Sequence, residues 1–349
     1  MSLSNRYSLH LLRQRTGCSI RVQRIVVRNI GKHRDVDLSE IPLSDDIQTV
    51  IDDLFGGLVP NRIPAQARLM HYLERTDCAL EQWQLRPGDG TWVTWTLSIQ
   101  WPHGVTCCPV LLSPDGCWPH CVNEEAAQRV NQEGIALAWF NRLELAFDPP
   151  DAQRCGPVFG RWPESGFGAL SVWAWGMQRC IEALLGMART DPGRIGVVGH
   201  SRGGKAALLA GATDTRIAAT ISNNSGTAGA ASLLRSNAQA ESLSALLARF
   251  PHWLGPNAGD PQFQSEWMKT DAPVVLMSNI APRGLCLLQA RDDLWANPPG
   301  TRHAFEQLQA HWTGPESKSR LRMHERDGGH AMTLEDWQNA ARFLRSLPP

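Results

Sequence analysis

Neither sign of charge predominates in this 349-residue chain: 34 lysines and arginines face 34 aspartates and glutamates. With that balance, and with no basic run or one-signed tail, nothing points to a nucleic-acid or acidic-membrane partner. No apolar stretch approaches transmembrane length. The opening MSLSNRYSLHLLRQRTGCSIRVQRIVV lacks the continuous apolar core of a signal peptide. As written the chain reads as cytoplasmic; one trimmed of a leader, and so periplasmic or secreted, would read the same. No C-x-x-C pair occurs among the nine cysteines (Cys18, Cys78, Cys107, Cys108, Cys117, Cys121, Cys155, Cys180 and Cys286), which disfavours zinc-ribbon and thioredoxin-like readings. Cys117 and Cys121 flank His120 but have no second ligand pair at metal spacing. Tyrosine is scarce, two residues against fourteen tryptophans. Indole faces suit the C–H faces of sugar rings, although most of the fourteen read as core. Internal repeats and low-complexity tracts are absent.

What is present is a chain of ordinary globular composition, 42% hydrophobic and 19% charged. Residues 1–75 show short apolar stretches without a strong period and are read as an N-terminal extension packing on the main domain, 76–349. From Trp92 the pattern sharpens. Val93, Trp95, Leu97, Ile99 and Trp101 alternate with polar residues, as in a strand with one buried face. CPVLLS (108–113), IALAWF (135–140), RIGVV (194–198), IAATI (217–221), GLCLLQA (284–290) and LRMH (321–324) read as further strands. Residues 169–187 and 205–212 read as helices, as do 333–347, where Thr333 is the N-cap and Asp336 lies three residues on. Alternating strands and helices mean an α/β fold in one domain, a mostly parallel central sheet with helices on both faces.

Between RIGVV and the helix-forming KAALLAGA lies Gly199-His200-Ser201-Arg202-Gly203, which fits the G-x-S-x-G nucleophile elbow of the α/β-hydrolase fold; taken alone, the pentapeptide also fits an ordinary strand–turn–helix corner. The sharp turn exposes the serine Oγ at a helix N-terminus, where N–H groups stabilise an oxyanion. A serine hydroxyl needs a base, and the base an orienting carboxylate. In this fold the order is Ser, then Asp or Glu, then His. Asp293, just after the strand ending at Ala290, fits the acid, with Asp292 its rival. His330, in the glycine-rich loop RDGGH before the last helix, fits the base. His324, inside an expected strand, is the alternative. The scheme requires no metal and no organic cofactor.

The block GHSRGGKAALLAGATDTRIAATISNNSGTAGAA, with WAWGMQRCIEALL, FPHWL, APRG, DDLWANPPG and GGHAMTLEDW in order around it, resembles the glucuronoyl esterases, carbohydrate esterase family 15, especially the bacterial-type branch. The resemblance implies hydrolysis of esters on the carboxyl group of glucuronic acid, the group that links glucuronoxylan to lignin alcohols. It implies Ser201 as nucleophile, His330 as base and Arg202 as an oxyanion ligand. Lys205 and Trp295 would contact the sugar. Fungal members carry a triad glutamate where this chain has Asn224, so the acid would come from Asp293 instead. Sugar-contacting Gln and Glu of those members fall roughly at Glu241 and Arg249; Glu241 could still accept hydroxyl hydrogen bonds, whereas Arg249 reverses the charge. Two other readings stay open. One is an acetylxylan-type or other carboxylic-ester hydrolase on the same fold. The other is a non-catalytic carbohydrate-binding homologue.

Overall fold

The parallel strands form where short β-branched and aliphatic runs are long enough to cross the core once, and each is followed by a helix that covers it. The computed structural model describes residues 45–348, apart from 61–63, 91, 151 and 152. The described strands are β1 (Ala65–Glu74), β2 (Cys78–Pro87), β3 (Trp95–Pro102), β4 (Cys108–Ser113), β5 (Ala136–Phe140), β6 (Thr190–His200), β7 (Ala219–Asn223), β8 (Gly284–Ala290) and β9 (Leu321–Arg326). They make one nine-stranded sheet in the order β1-β2-β3-β5-β4-β6-β7-β8-β9. From β5 to β9 every neighbouring pair is parallel. The β1–β2–β3–β5 end is antiparallel.

Five helices matter to the argument: α1 (Asp45–Phe55), α2 (Glu124–Asn131), α3 (Ala169–Leu185), α4 (Arg202–Thr213) and α5 (Leu334–Ser346). Side-chain parity along the strands divides the two faces. Ile221, Cys286 and Leu288 join a core cluster with Val130 of α2 and Trp337 and Leu344 of α5. The intervening Thr220 faces α4 instead, so closely that a Cβ on Gly211 would lie 2.0 Å from its Oγ1. Helix α5 starts as expected: Thr333 Oγ1 accepts the Asp336 N–H, and the Asp336 carboxylate accepts the Thr333 N–H, a reciprocal capping box.

The alternation in β3 suggested one solvated face, yet Ser98 and Gln100 are buried like their apolar neighbours. The reason is that β3 is internal, flanked by β2 and β5. Asn131 of α2 covers its second face, accepting from Gln100 Nε2 at 2.9 Å.

Residues 1–44, the larger part of the expected extension, lie outside the described residues. Residues 45–349 cluster as one unit. Within it α1 is amphipathic, burying Ile47, Val50, Ile51, Leu54 and Phe55 at helical spacing. The hairpin β1–β2 spans residues 65–87, so the 75/76 boundary read from the sequence falls in its turn.

Candidate active site

Strand β6 ends at His200 and α4 begins at Arg202, leaving Ser201 alone at the bend with φ 54° and ψ −117°. Such strain persists only where the surroundings over-determine it. The Ser201 N–H donates to Asn223 O at 2.8 Å. The flanking glycines are steric necessities. A Cβ on Gly199 would lie 2.2 Å from Gly203 C, and one on Gly203 would lie 2.2 Å from Asp115 Oδ1.

Asp115 is the floor of the elbow. It is fully buried, ion-pairs with Arg142 Nη1, and accepts the His200 N–H at 2.7 Å. Burial raises its carboxyl above the usual range, opposed by Arg142. The Arg142 guanidinium lies 4.1 Å over the Trp118 ring.

His330 Nδ1 stands 2.5 Å from Asp293 Oδ2. Asp293 is buried and the imidazole is 42% exposed, so the ring faces solvent while the carboxylate does not. Asp292 turns elsewhere: its Oδ2 accepts the Gly328 N–H at 2.8 Å. His324 stays within β9, opposite Leu288. The His330 ring lies 4.6 Å from that of His200, the residue before Ser201. Burial, with His330 beside it, pushes the His200 imidazole down to about 3, so it is neutral at ordinary pH. Among the described residues Ser201 Oγ makes no hydrogen bond.

Arg202 is clamped at the mouth of the elbow. Its Nη1 donates to Asp148 Oδ2 at 2.7 Å, and its guanidinium lies 4.7 and 4.6 Å over Phe250 and Trp253. Those two rings stack at 4.0 Å, and the Arg249 guanidinium lies 5.3 Å over Phe250. Trp253 Nε1 donates to the other Asp148 oxygen at 2.7 Å. Burial pushes the Asp148 carboxyl up, but His252 and Arg202 outweigh it and hold it below the usual carboxylate range. Arg202 Nε is buried without a hydrogen-bond partner.

The residues expected to meet a sugar are joined by hydrogen bonds. Lys205 Nζ donates to Ser225 O and, at 2.7 Å, to Thr227 O. Thr227 Oγ1 donates to Glu241 O, and the Glu241 N–H to Trp295 O at 3.0 Å. Lys205 is buried, which lowers its ammonium to about 8. Trp295, on the turn after Asp293, is half exposed. Cys117, His120 and Cys121 form no ligand set; among the described residues no group of three or more His, Cys, Asp or Glu is placed to hold a metal.

Asp115, Arg142 and Asp148 escaped the sequence reading because nothing local marks them. Their signal is positional: Asp115 and Arg142 follow β4 and β5 directly, at the carboxyl ends of parallel strands where open α/β sheets build their sites.

A family model described as "Glucuronyl esterase, fungi" matches residues 88–314, which include Ser201, Asp293 and Trp295 but not His330. Carbohydrate esterase MZ0003 of an unknown prokaryotic organism is 32% identical over 191 residues, covering 50% of this chain and 44% of that protein. The 4-O-methyl-glucuronoyl methylesterase 1 of Sodiomyces alcalophilus is 33% identical over 188 residues, covering 51% and 38%. The chain thus spans less than half the length of these curated relatives. In the solved glucuronoyl esterase from Solibacter usitatus the likeness extends over 87% of this chain and 91% of that one, with a TM-score of 0.74 at 24% identity. At that identity the likeness speaks for a shared α/β-hydrolase fold.

Proposed function

The chain belongs to the glucuronyl esterase family, and from that premise we propose that it is a serine carboxylic-ester hydrolase acting on glucuronoyl esters. The observation that carries this reading is the contact between His330 and Asp293 beside the Ser201 elbow. Ser201 Oγ attacks the ester carbonyl while His330 Nε2 takes its proton. Asp293 keeps the other imidazole proton on Nδ1 and favours the imidazolium that forms. The charge on the carbonyl oxygen is met by the Arg202 guanidinium and by the Arg202 backbone N–H at the start of α4, where helix N–H groups lack internal partners. His330 then delivers its proton to the leaving alcohol. Water, deprotonated by the same imidazole, attacks the acyl-enzyme and frees the acid with Ser201 restored.

The acyl side of the substrate is a sugar acid in this proposal. Lys205 and Glu241 supply donor and acceptor for hydroxyls, and Trp295 offers an exposed indole face for the ring. Relatives carry the name 4-O-methyl-glucuronoyl methylesterase, and the natural ester proposed is the one between 4-O-methyl-glucuronoxylan and lignin alcohols. The test compares kcat/KM on a benzyl glucuronate ester with that on acetylated xylan and p-nitrophenyl acetate. Preference for the glucuronate ester supports the proposal. Preference for acetyl esters, or binding of the sugar without turnover, contradicts it.

A further inference from the structure

Asn224 follows β7 with a left-handed backbone, φ 45°, and is almost completely buried. Its amide reaches both loops that carry the partners of Ser201. Oδ1 accepts the Ala290 N–H at 2.8 Å and Gln289 Nε2 at 3.2 Å, at the end of β8 and just before Asp293. Nδ2 donates to Ala331 O at 3.0 Å, the carbonyl next to His330, and to Asn223 Oδ1 at 3.2 Å. The same Asn223 oxygen accepts Nδ1–H of His200 at 2.6 Å, and the His200 ring packs against His330.

We propose that Asn224 is a positioning residue that sets the separation of the Asp293 loop from the His330 loop. The proposal rests on the Ser201–His330–Asp293 reading above. On the exposed side the same loops are joined through Asp292 and Gly328 and through Arg291, whose side chain donates to Asp327 Oδ1 at 2.6 Å and whose N–H donates to Arg326 O, and Arg326 Nη2 also donates to Ala331 O at 2.6 Å. On the buried side the Asn224 amide adds a link to the end of β8, beside the bond from its own backbone N–H to Leu288 O at 2.9 Å. Its oxygen end faces two donors and its nitrogen end two acceptors, so only an amide satisfies all four. A carboxylate of the same shape would keep the Ala290 bond but set an oxygen against the Ala331 carbonyl, pushing the histidine loop away. Asparagine also tolerates the left-handed backbone that most side chains resist. Buried beneath the loops, the residue acts on the geometry of catalysis and leaves substrate contacts alone.

Two variants test this. Asn224→Gly keeps the backbone conformation and removes the amide; Asn224→Asp keeps shape and acceptor and removes the donor. Each is expected to lower kcat by about ten- to a hundredfold, the scale of a misplacement near 1 Å, with KM within about twofold of wild type because ground-state binding is untouched. Wild-type kcat in either folded variant overturns the proposal, as does a KM that rises in step with the fall in kcat. Should Asn224→Gly fail to fold, kcat of Asn224→Asp decides alone. Failure of the parent reading registers separately, as ester hydrolysis surviving in Ser201→Ala.

Discussion

Asp293 Oδ2 and His330 Nδ1 meet at 2.5 Å although 37 residues separate them in the chain. The strands that precede them, β8 and β9, are parallel neighbours, so both loops leave the sheet at the same end. The neighbouring Asp292 is turned to Gly328 instead. Asp293→Asn is therefore expected to lower kcat on a glucuronate ester by about a thousandfold or more, because the amide no longer favours the productive tautomer. Asp292→Asn retains most activity, since its amide oxygen still accepts the Gly328 N–H. Steady-state kinetics of the two variants side by side check this, and equal losses would contradict it.

Arg202 is held by a carboxylate and by aromatic faces. Arg202→Ala should cost about 10²–10³ in kcat, the usual worth of an oxyanion donor. Arg202→Lys should recover little, because an ammonium cannot reproduce the planar fork that packs beside the Phe250 and Trp253 rings while it reaches Asp148. A lysine variant with near-wild-type kcat would show that charge alone suffices there.

Burial lowers the Lys205 ammonium from 10.5 to about 8. Protonated, it has three donors: two go to Ser225 O and Thr227 O and one is left for a sugar hydroxyl. The neutral amine has two, and both carbonyls take them. KM should accordingly rise as pH passes through about 8, and a Lys205→Gln variant should lack that rise. The linkage has a definite sign. Between pH 8 and 10.5 the unfolded chain holds more protons at this site than the folded one, so the site's contribution to stability grows with pH across that window. KM measured from pH 6 to 9.5, with urea melts to pH 10.5, tests both statements.

Much of this site lies open in the sequence, for a physical reason. The elbow is local: a strand, a bend and a helix within the 24 residues from Thr190 to Thr213, with glycines where Asp115 and the chain itself allow no Cβ. CPVLLS and GLCLLQA appear as strands with the expected ends, Cys108–Ser113 and Gly284–Ala290, since runs buried on both faces show as unbroken apolar stretches. Strand β7 runs from Ala219 to Asn223, two residues later than read; it carries Ser222 and Asn223 into the site, and polar residues buried by function break the apolar signal. The hairpin β1–β2 was invisible because edge strand β1 is exposed along almost all its length, so no periodicity is imposed on it. Asp148 and Arg142 are single charged residues whose meaning comes only from the sheet order that gathers them.

The most direct test of a Ser201 nucleophile served by His330 is covalent labelling with a fluorophosphonate, read by intact and peptide mass spectrometry. One adduct on Ser201 is expected in the wild-type chain, none in Ser201→Ala, and labelling slowed by about a thousandfold in His330→Ala, since the hydroxyl is a poor nucleophile without its base. An adduct elsewhere, or His330→Ala labelled at the wild-type rate, would contradict the account.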